Sequence, residues 1–221
     1  MSKGLLAIIS HPDDETFGCG GTLALHAGND HTVDVLCLTL SDEKRRGELE
    51  CACQKLGVNK PVIFTDKPLA YSSETIKKIA DVMVEKQPRI VFTHIPFDYH
   101  REHRTTYELV KEAIEWAAHT TTYSTPWLVE RLLLVEISSL IPQPDVIMDI
   151  TEVMDKKTEA VNCYTTQLAK FPWGYYEKFT EQKALLRGVQ GGCTYAEAFK
   201  EEALPRNSPF YPEKSSKDSL L

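Results

Sequence analysis

A chain of 221 residues, 42% hydrophobic and 26% charged, has material for one substantial α/β domain and the balance of a globular protein. Its formal charge of −7 tells against a general nucleic-acid binder, which would carry a basic stripe, and no apolar stretch nears the roughly 20 residues of a membrane span. The opening MSKGLLAIIS passes from one lysine and a short apolar run straight into charge without a small-residue cleavage site, so a cytoplasmic setting is expected.

In chain order, short apolar runs alternate with amphipathic segments, the pattern of βαβ units. The predicted strands are LLAIIS (5–10), TVDVLCLTL (32–40), PVIF (61–64), IVFTH (90–94), RLLLVEI (131–137) and DVIMDI (145–150). Helical patterns fall between them at 20–29, 43–57, 72–87 and 101–119, and the longest runs over 150–171. Gly28, Asn29 and Gly57 are helix stops, while Ser72 or Ser73 with Glu74 is a helix start. The segments 66–72, 119–130 and 171–193 read as loops, and FPWGYYEKF (171–179) has rings enough to stack on a sugar, to meet another copy, or simply to pack. No repeat or linker divides the chain. The expectation is one three-layer α/β domain with a mostly parallel sheet over 1–205, followed by a polar tail at 206–221. Of the six cysteines, only Cys51 and Cys53 are close, with C-x-C rather than C-x-x-C spacing, so free thiols are expected and not a thiolate zinc site.

Ligands of such sheets sit beyond the carboxyl ends of the strands. Three of those ends carry reactive groups: HPDDE after 5–10, SDEKRRGE after 32–40, and THIPFDYHREHR around and after 90–94. Carboxylates as crowded as Asp13, Asp14 and Glu15 repel one another unless a cation compensates them. Each residue also has a plainer reading: His11 as a structural histidine, Asp14 as a helix cap. GCGG could in turn cradle a phosphate at a helix start, although it is not G-x-G-x-x-G and three carboxylates stand just upstream. Two imidazoles and a carboxylate are nevertheless the donor set of an open catalytic zinc site, which keeps one position for water. His11 and Asp14, three apart across a tight turn, can face one point with Asp13 beside them unbound. His100 and His103 share a helix face at i, i+3, so one can ligate while the other stands next to the metal. A free carboxylate to take a proton and an imidazole to meet an oxyanion complete the parts of a metal-assisted amide hydrolase.

SHPDDETFGCGGTLA resembles the H-P-D-D-E…G-x-G-G-x-L signature of the LmbE-like, N-acetylglucosaminyl-phosphatidylinositol de-N-acetylase-like family of zinc-dependent deacetylases. THIPFDYHREH is similar to that family's T-H-x-P-x-D-x-H-x-D-H segment, RRGELECACQKLGV to its R-x-x-E…A…L-G helix, KTEAVNCYTTQ to K-x-x-A-x-x-x-H-x-S-Q, and RGVQGGCTYAEAF to its closing R-x-x-G…G…Y-A-E-x-F. The resemblance implies a Rossmann-like fold with one zinc, or another divalent ion, at the strand carboxyl ends, held by His11, Asp14 and His103. It implies Asp13 as general base, His100 as the histidine that assists the tetrahedral intermediate, and Asp98 as the group orienting His100. Arg45 would hold the sugar, and Tyr195 would approach the site from the C-terminal segment. The implied reaction removes acetyl from an N-acetylglucosamine-type sugar or its conjugate, and the implied partner is that small molecule, with homo-oligomers open. The sequence departs from the pattern at Glu102, where Asp is usual, at Tyr164 for His, and at Thr166 for Ser. Arg104 reads equally as a carboxylate partner or a surface cation. Two other classes stay open: a metal- or sugar-binding protein without turnover, and a nucleotide binder using the glycine turn.

Overall fold

The computed structural model describes residues 4–65, 67–171 and 173–204; the expected polar tail at 206–221 lies outside the described residues. Strands β1 (Leu5–Ile9), β2 (Val33–Cys37), β3 (Val62–Ile63), β4 (Ile90–His94) and β5 (Arg131–Val135) are parallel. They alternate with α1 (Asp14–Gly28), α2 (Glu43–Leu56), α3 (Ser73–Lys86) and α4 (Arg101–Ala117). After β6 (Val146–Asp149) come a 3-10 turn at Thr151–Val153, α5 (Met154–Cys163), α6 (Thr165–Leu168), α7 (Tyr175–Gly191) and β7 (Ala196–Glu202). The sheet order is β3-β2-β1-β4-β5-β7-β6, with β7 antiparallel to both neighbours. This is the expected mostly parallel sheet in three layers.

Strand β1 shows why both faces are covered. Leu6 and Ile8 enter one apolar cluster with Ile76, Ile79, Leu109 and Val110 of α3 and α4. Leu5, Ala7 and Ile9 enter another with Leu23 of α1 and Leu49 of α2. A strand apolar at every position fits only between two helical layers. Because β1 pairs with both β2 and β4, the carboxyl ends carrying HPDD, SDEKRR and THIPFD become neighbours.

Three expectations need correction. Residues 171–193 are not a loop, since α7 occupies most of them. The helix expected over 150–171 is broken: a 3-10 turn opens it, and Tyr164 (φ −85°, ψ 55°) divides α5 from α6. Finally, Cys51 and Cys163 form a disulfide because α2 packs on α5, leaving Cys19, Cys37, Cys53 and Cys193 as free thiols.

The glycine turn has a structural use. Helix α1 starts at Asp14 and kinks at Cys19 (φ −143°, ψ 15°). A Cβ on Gly18 would lie 2.6 Å from Ile137 Cδ1, and one on Gly21 2.6 Å from Ile150 Cδ1, so both glycines serve close packing. The N–H groups of Gly21 and Thr22 donate to the two oxygens of Glu197 at 2.8 and 2.7 Å, and Glu197 is paired with Lys157 at 2.6 Å. A buried carboxylate thus fills the place a phosphate would take, which removes the phosphate-loop reading.

Candidate active site

The chain leaves β1 through Ser10 and turns sharply at His11–Pro12–Asp13 into α1. Asp13 adopts φ 126°, a left-handed conformation that costs a non-glycine residue energy and persists only when its surroundings impose it. Those surroundings are specific. The Asp13 N–H donates to Glu15 Oε2 at 3.2 Å, and its carboxylate receives Arg45 Nη2 at 2.7 Å. Glu15, fully buried, also accepts from the Thr16 hydroxyl at 2.5 Å and from the Tyr164 hydroxyl. Arg45 further donates to the Pro12 carbonyl and to Glu48, whose carboxylate accepts from the Thr166 N–H and hydroxyl at the start of α6. The residue expected to hold a sugar therefore lines the cavity with its guanidinium committed to the HPDD turn.

Asp14 is the centre of the charge cluster. Its Oδ2 accepts from the His11 N–H at 2.8 Å and stands 3.3 Å from His11 Nδ1, while Oδ1 stands 3.3 Å from His103 Nε2. The outward nitrogens have carboxylates of their own: His11 Nε2 lies 2.7 Å from Glu102 Oε2, and His103 Nδ1 lies 3.1 Å from Asp98 Oδ1. Carboxylate–imidazole pairs of this kind fix ring orientation and raise ligand basicity in metal sites. The pairing turns His11 Nδ1 and His103 Nε2 toward Asp14.

Asp98, expected to orient His100, accepts its backbone N–H at 2.8 Å but faces the ring of His103. His94, which the motif reading left without a role, is fully buried, stacks on His103 at 4.1 Å, and accepts the Ser10 N–H on Nε2. Its place at the end of β4 was visible in the sequence, whereas its stacking was not. Two overlapping groups have donor atoms close enough to share a cation: His11, His100 and His103, and Asp14, His94 and His103.

The electrostatics follow from burial and charge. Burial by itself would lower His103, but Asp14 and Asp98 on either side outweigh it and lift the imidazole to about 10. Burial would raise Asp14, yet His103 and His11 hold it well below the usual carboxylate range. Asp13 goes the other way: burial and the charge of Asp14 push it well up, against the pull of Arg45. Burial takes His94 down to about 3, so it stays neutral. The imidazoles and carboxylate gathered around His103, in the two overlapping groups, are donors of the type that a zinc-type cation takes.

His100 caps α4, its Nδ1 accepting the Glu102 N–H at 3.3 Å. Burial and the neighbouring imidazoles lower its pKa. The neutral ring then carries its proton on Nε2, the edge available to the cavity. Among the described residues Arg104 meets no carboxylate; it donates to the carbonyls of Asp98 and Tyr99 at 2.7 and 2.8 Å and so steadies this loop. Tyr195 is not brought to the cavity: it precedes β7 and packs on the cluster containing Ile150 and Met154.

These groups open onto a cavity of about 640 Å³ whose far side is built by rings of α7 and the segment before it. No described helix is long and apolar enough to cross a membrane.

Similarity to known proteins runs through the same region. The family description PIG-L, GlcNAc-PI de-N-acetylase, matches residues 6–114, the stretch from β1 to α4 that carries both histidine motifs. Diacetylchitobiose deacetylase of Thermococcus kodakarensis is 28% identical over 223 residues, covering 90% of this chain and 82% of its own length. At the same 28% identity, over 214 residues, stands 4-oxalmesaconate hydratase of Pseudomonas putida, with 85% of this chain and 81% of the relative covered. The crystal structure of the conserved protein TT1542 from Thermus thermophilus matches with a TM-score of 0.84 at 26% identity, over 97% of this chain and 100% of that one. Matching motifs over β1 to α4, shared topology and extensive mutual coverage make this chain similar to the PIG-L (GlcNAc-PI de-N-acetylase) family and to relatives named as deacetylases.

Proposed function

We propose that the protein is a zinc-dependent N-deacetylase acting on an N-acetylglucosamine-type amino sugar or its conjugate. The observation that carries this reading is a carboxylate held free of the cation pocket but beside it: Asp13 faces Arg45 while its neighbour Asp14 faces His11 and His103. A metal-assisted hydrolase needs both, one carboxylate to bind the cation and one to move a proton.

In this mechanism His11, Asp14 and His103 hold the ion, which when bound supplies Lewis-acid polarisation and lowers the pKa of water toward about 7. Asp13 takes a proton from the attacking water and returns it to the departing amine nitrogen. His100 donates its Nε2–H to the oxyanion that develops on the amide oxygen. Arg45 keeps Asp13 in its strained conformation through the Pro12 carbonyl and the carboxylate itself. Glu102 and Asp98 keep the rings of His11 and His103 from rotating.

A second reading has a specific observation behind it, because a relative equally similar in sequence is named a hydratase. Activated water and a proton-carrying carboxylate would also serve addition of water to an alkene. Acetate release separates the two. Incubation of the metal-loaded protein with N-acetylglucosamine and its glycosides, with and without a chelator, is expected to give chelator-sensitive acetate. Absence of acetate across the panel would overturn the deacetylase reading and leave a hydratase or a binding protein without turnover.

A further inference from the structure

The far wall of the cavity is a continuous path of aromatic rings leading outward from the catalytic turn. Phe17, three residues after Asp14 on α1, stacks on Tyr176 with centroids 5.2 Å apart and planes within 16°. Tyr176 meets Tyr175 at 5.1 Å and Phe171 at 5.8 Å, and Tyr175 stacks on Phe179 at 5.6 Å and 9°. All five line the cavity. The path begins buried, with Phe17 6% exposed, and ends open, with Phe171 41% exposed.

Packing does not require this arrangement. Helix α7 docks on the body of the protein through Thr180, Lys183, Ala184, Arg187 and Gly188, all buried, whereas its first-turn rings are only half-buried and border the cavity. The space they enclose is too large for one pyranose: about 640 Å³ falls where pockets take drug-sized ligands. The ring faces themselves offer no hydrogen bonds; the polar groups of the wall are the Tyr175 and Tyr176 hydroxyls at its edges, and Gln167 Oε1 nearby already accepts from Lys170 Nζ at 2.5 Å. Desolvated hydroxyls without partners are costly, while a planar apolar group stacks on ring faces at no such penalty.

We propose that this wall is an aglycone subsite, and that the substrate is an N-acetylated amino sugar bearing a planar apolar, aryl-like substituent that lies along Phe17, Tyr176, Tyr175 and Phe179. The inference rests on the deacetylase reading for the chemistry at the catalytic turn, but assigns a separate site and ligand class.

The test compares kcat/KM for acetate release from the methyl, phenyl and 4-nitrophenyl glycosides of N-acetylglucosamine and from N,N′-diacetylchitobiose, using the metal-loaded full chain. Aryl glycosides are expected to exceed the methyl glycoside by about tenfold, the size of one well-formed ring contact with its buried area. That ratio is expected to collapse toward unity in Tyr175→Ala and to persist in Tyr175→Phe, which keeps the ring and loses only the hydroxyl. Because the ratio is taken within one protein sample, partial unfolding of a variant does not alter it. Equal kcat/KM for aryl and methyl glycosides would overturn the proposal. So would a gain confined to the disaccharide, which would make the wall a second-sugar subsite, or a ratio indifferent to Tyr175→Ala. Acetate from none of these compounds would instead overturn the deacetylase reading beneath it.

Discussion

Asp13 combines a φ of 126°, near-complete burial and a carboxylate held by Arg45, and each has a consequence for substitution. Asparagine is among the side chains that tolerate positive φ, so Asp13→Asn keeps the turn and removes only the proton carrier. Elemental analysis is expected to find the metal content of the wild type, while acetate release falls by about 10²–10⁴-fold; wild-type turnover would remove Asp13 from the mechanism. Glu102 offers a complementary test, because it acts on the metal and not on the proton. Its oxygen on His11 Nε2 should make Glu102→Ala weaken metal binding by about 10–100-fold, measured by competition with a chromophoric chelator. Glu102→Gln, still able to accept from the ring, should fall between. These two residues mark what the sequence reveals at this scale. HPDD was legible because its members are consecutive and its crowding is itself anomalous. The pairing of Glu102 with His11 spans 91 positions, and only the fold brings those positions together. Asp98 and His103 are near each other in sequence, and there the local geometry of the chain entering α4 decides: the carboxylate faces the His103 ring although His100 is the nearer neighbour.

At the scale of elements, the parallel strands were legible as apolar runs, α3 and α4 by their amphipathic period, and α2, although it buries Arg45 and Glu48, by its stop at Gly57. The C-terminal third was not. Helix α7 buries Lys183 and Arg187, so charged letters stand where an apolar stripe would show. Lys183 donates to the carbonyls of Phe17 and Glu136, and Arg187 pairs with Glu136. Strand β7 reads AEAFKEE, a composition of helix formers, yet it fills the gap between β5 and β6 because Glu197 satisfies α1 and Lys157 there. Tertiary pairing overrode local propensity. The turn joining α7 to β7 is correspondingly exacting. A Cβ on Gly188 would collide with the carbonyl oxygen of Thr194, and a backbone atom cannot step aside as a flexible side chain would. Gly188→Ala is therefore expected to cost about 1–3 kcal/mol, seen as a lowered urea midpoint at unchanged slope. Gly47→Ala, where a Cβ meets nothing within 4 Å, is the control and should not be destabilised.

At the scale of the whole molecule, the sheet order sets β1 beside β4, and this adjacency makes one site from motifs some 90 residues apart in sequence. It also concentrates Asp13, Asp14, Glu15, Asp98 and Glu102 at one edge of a protein that is already acidic. Arg45 answers Asp13, while His11 and His103 stand against Asp14, Glu102 and Asp98. Two imidazoles against three carboxylates leave a place for a cation in the balance, so metal binding and folding should be linked. The proposed ligands come from the turn into α1 and the first turn of α4, which the unfolded chain does not hold together, and a cation bound to the native state alone stabilises it by mass action. At a free metal concentration 100 times the dissociation constant this amounts to about 2.7 kcal/mol, or roughly 5–10 °C in melting temperature for a chain of this size. Calorimetry of the protein before and after chelation should show that loss, with zinc restoring it. Asp14→Ala should show no shift on either treatment, because the residue shared by both ligand rings is gone. A wild-type melting temperature indifferent to chelation, in protein shown by elemental analysis to have lost its metal, would mean that the carboxylates are balanced by the imidazolium of His103 alone.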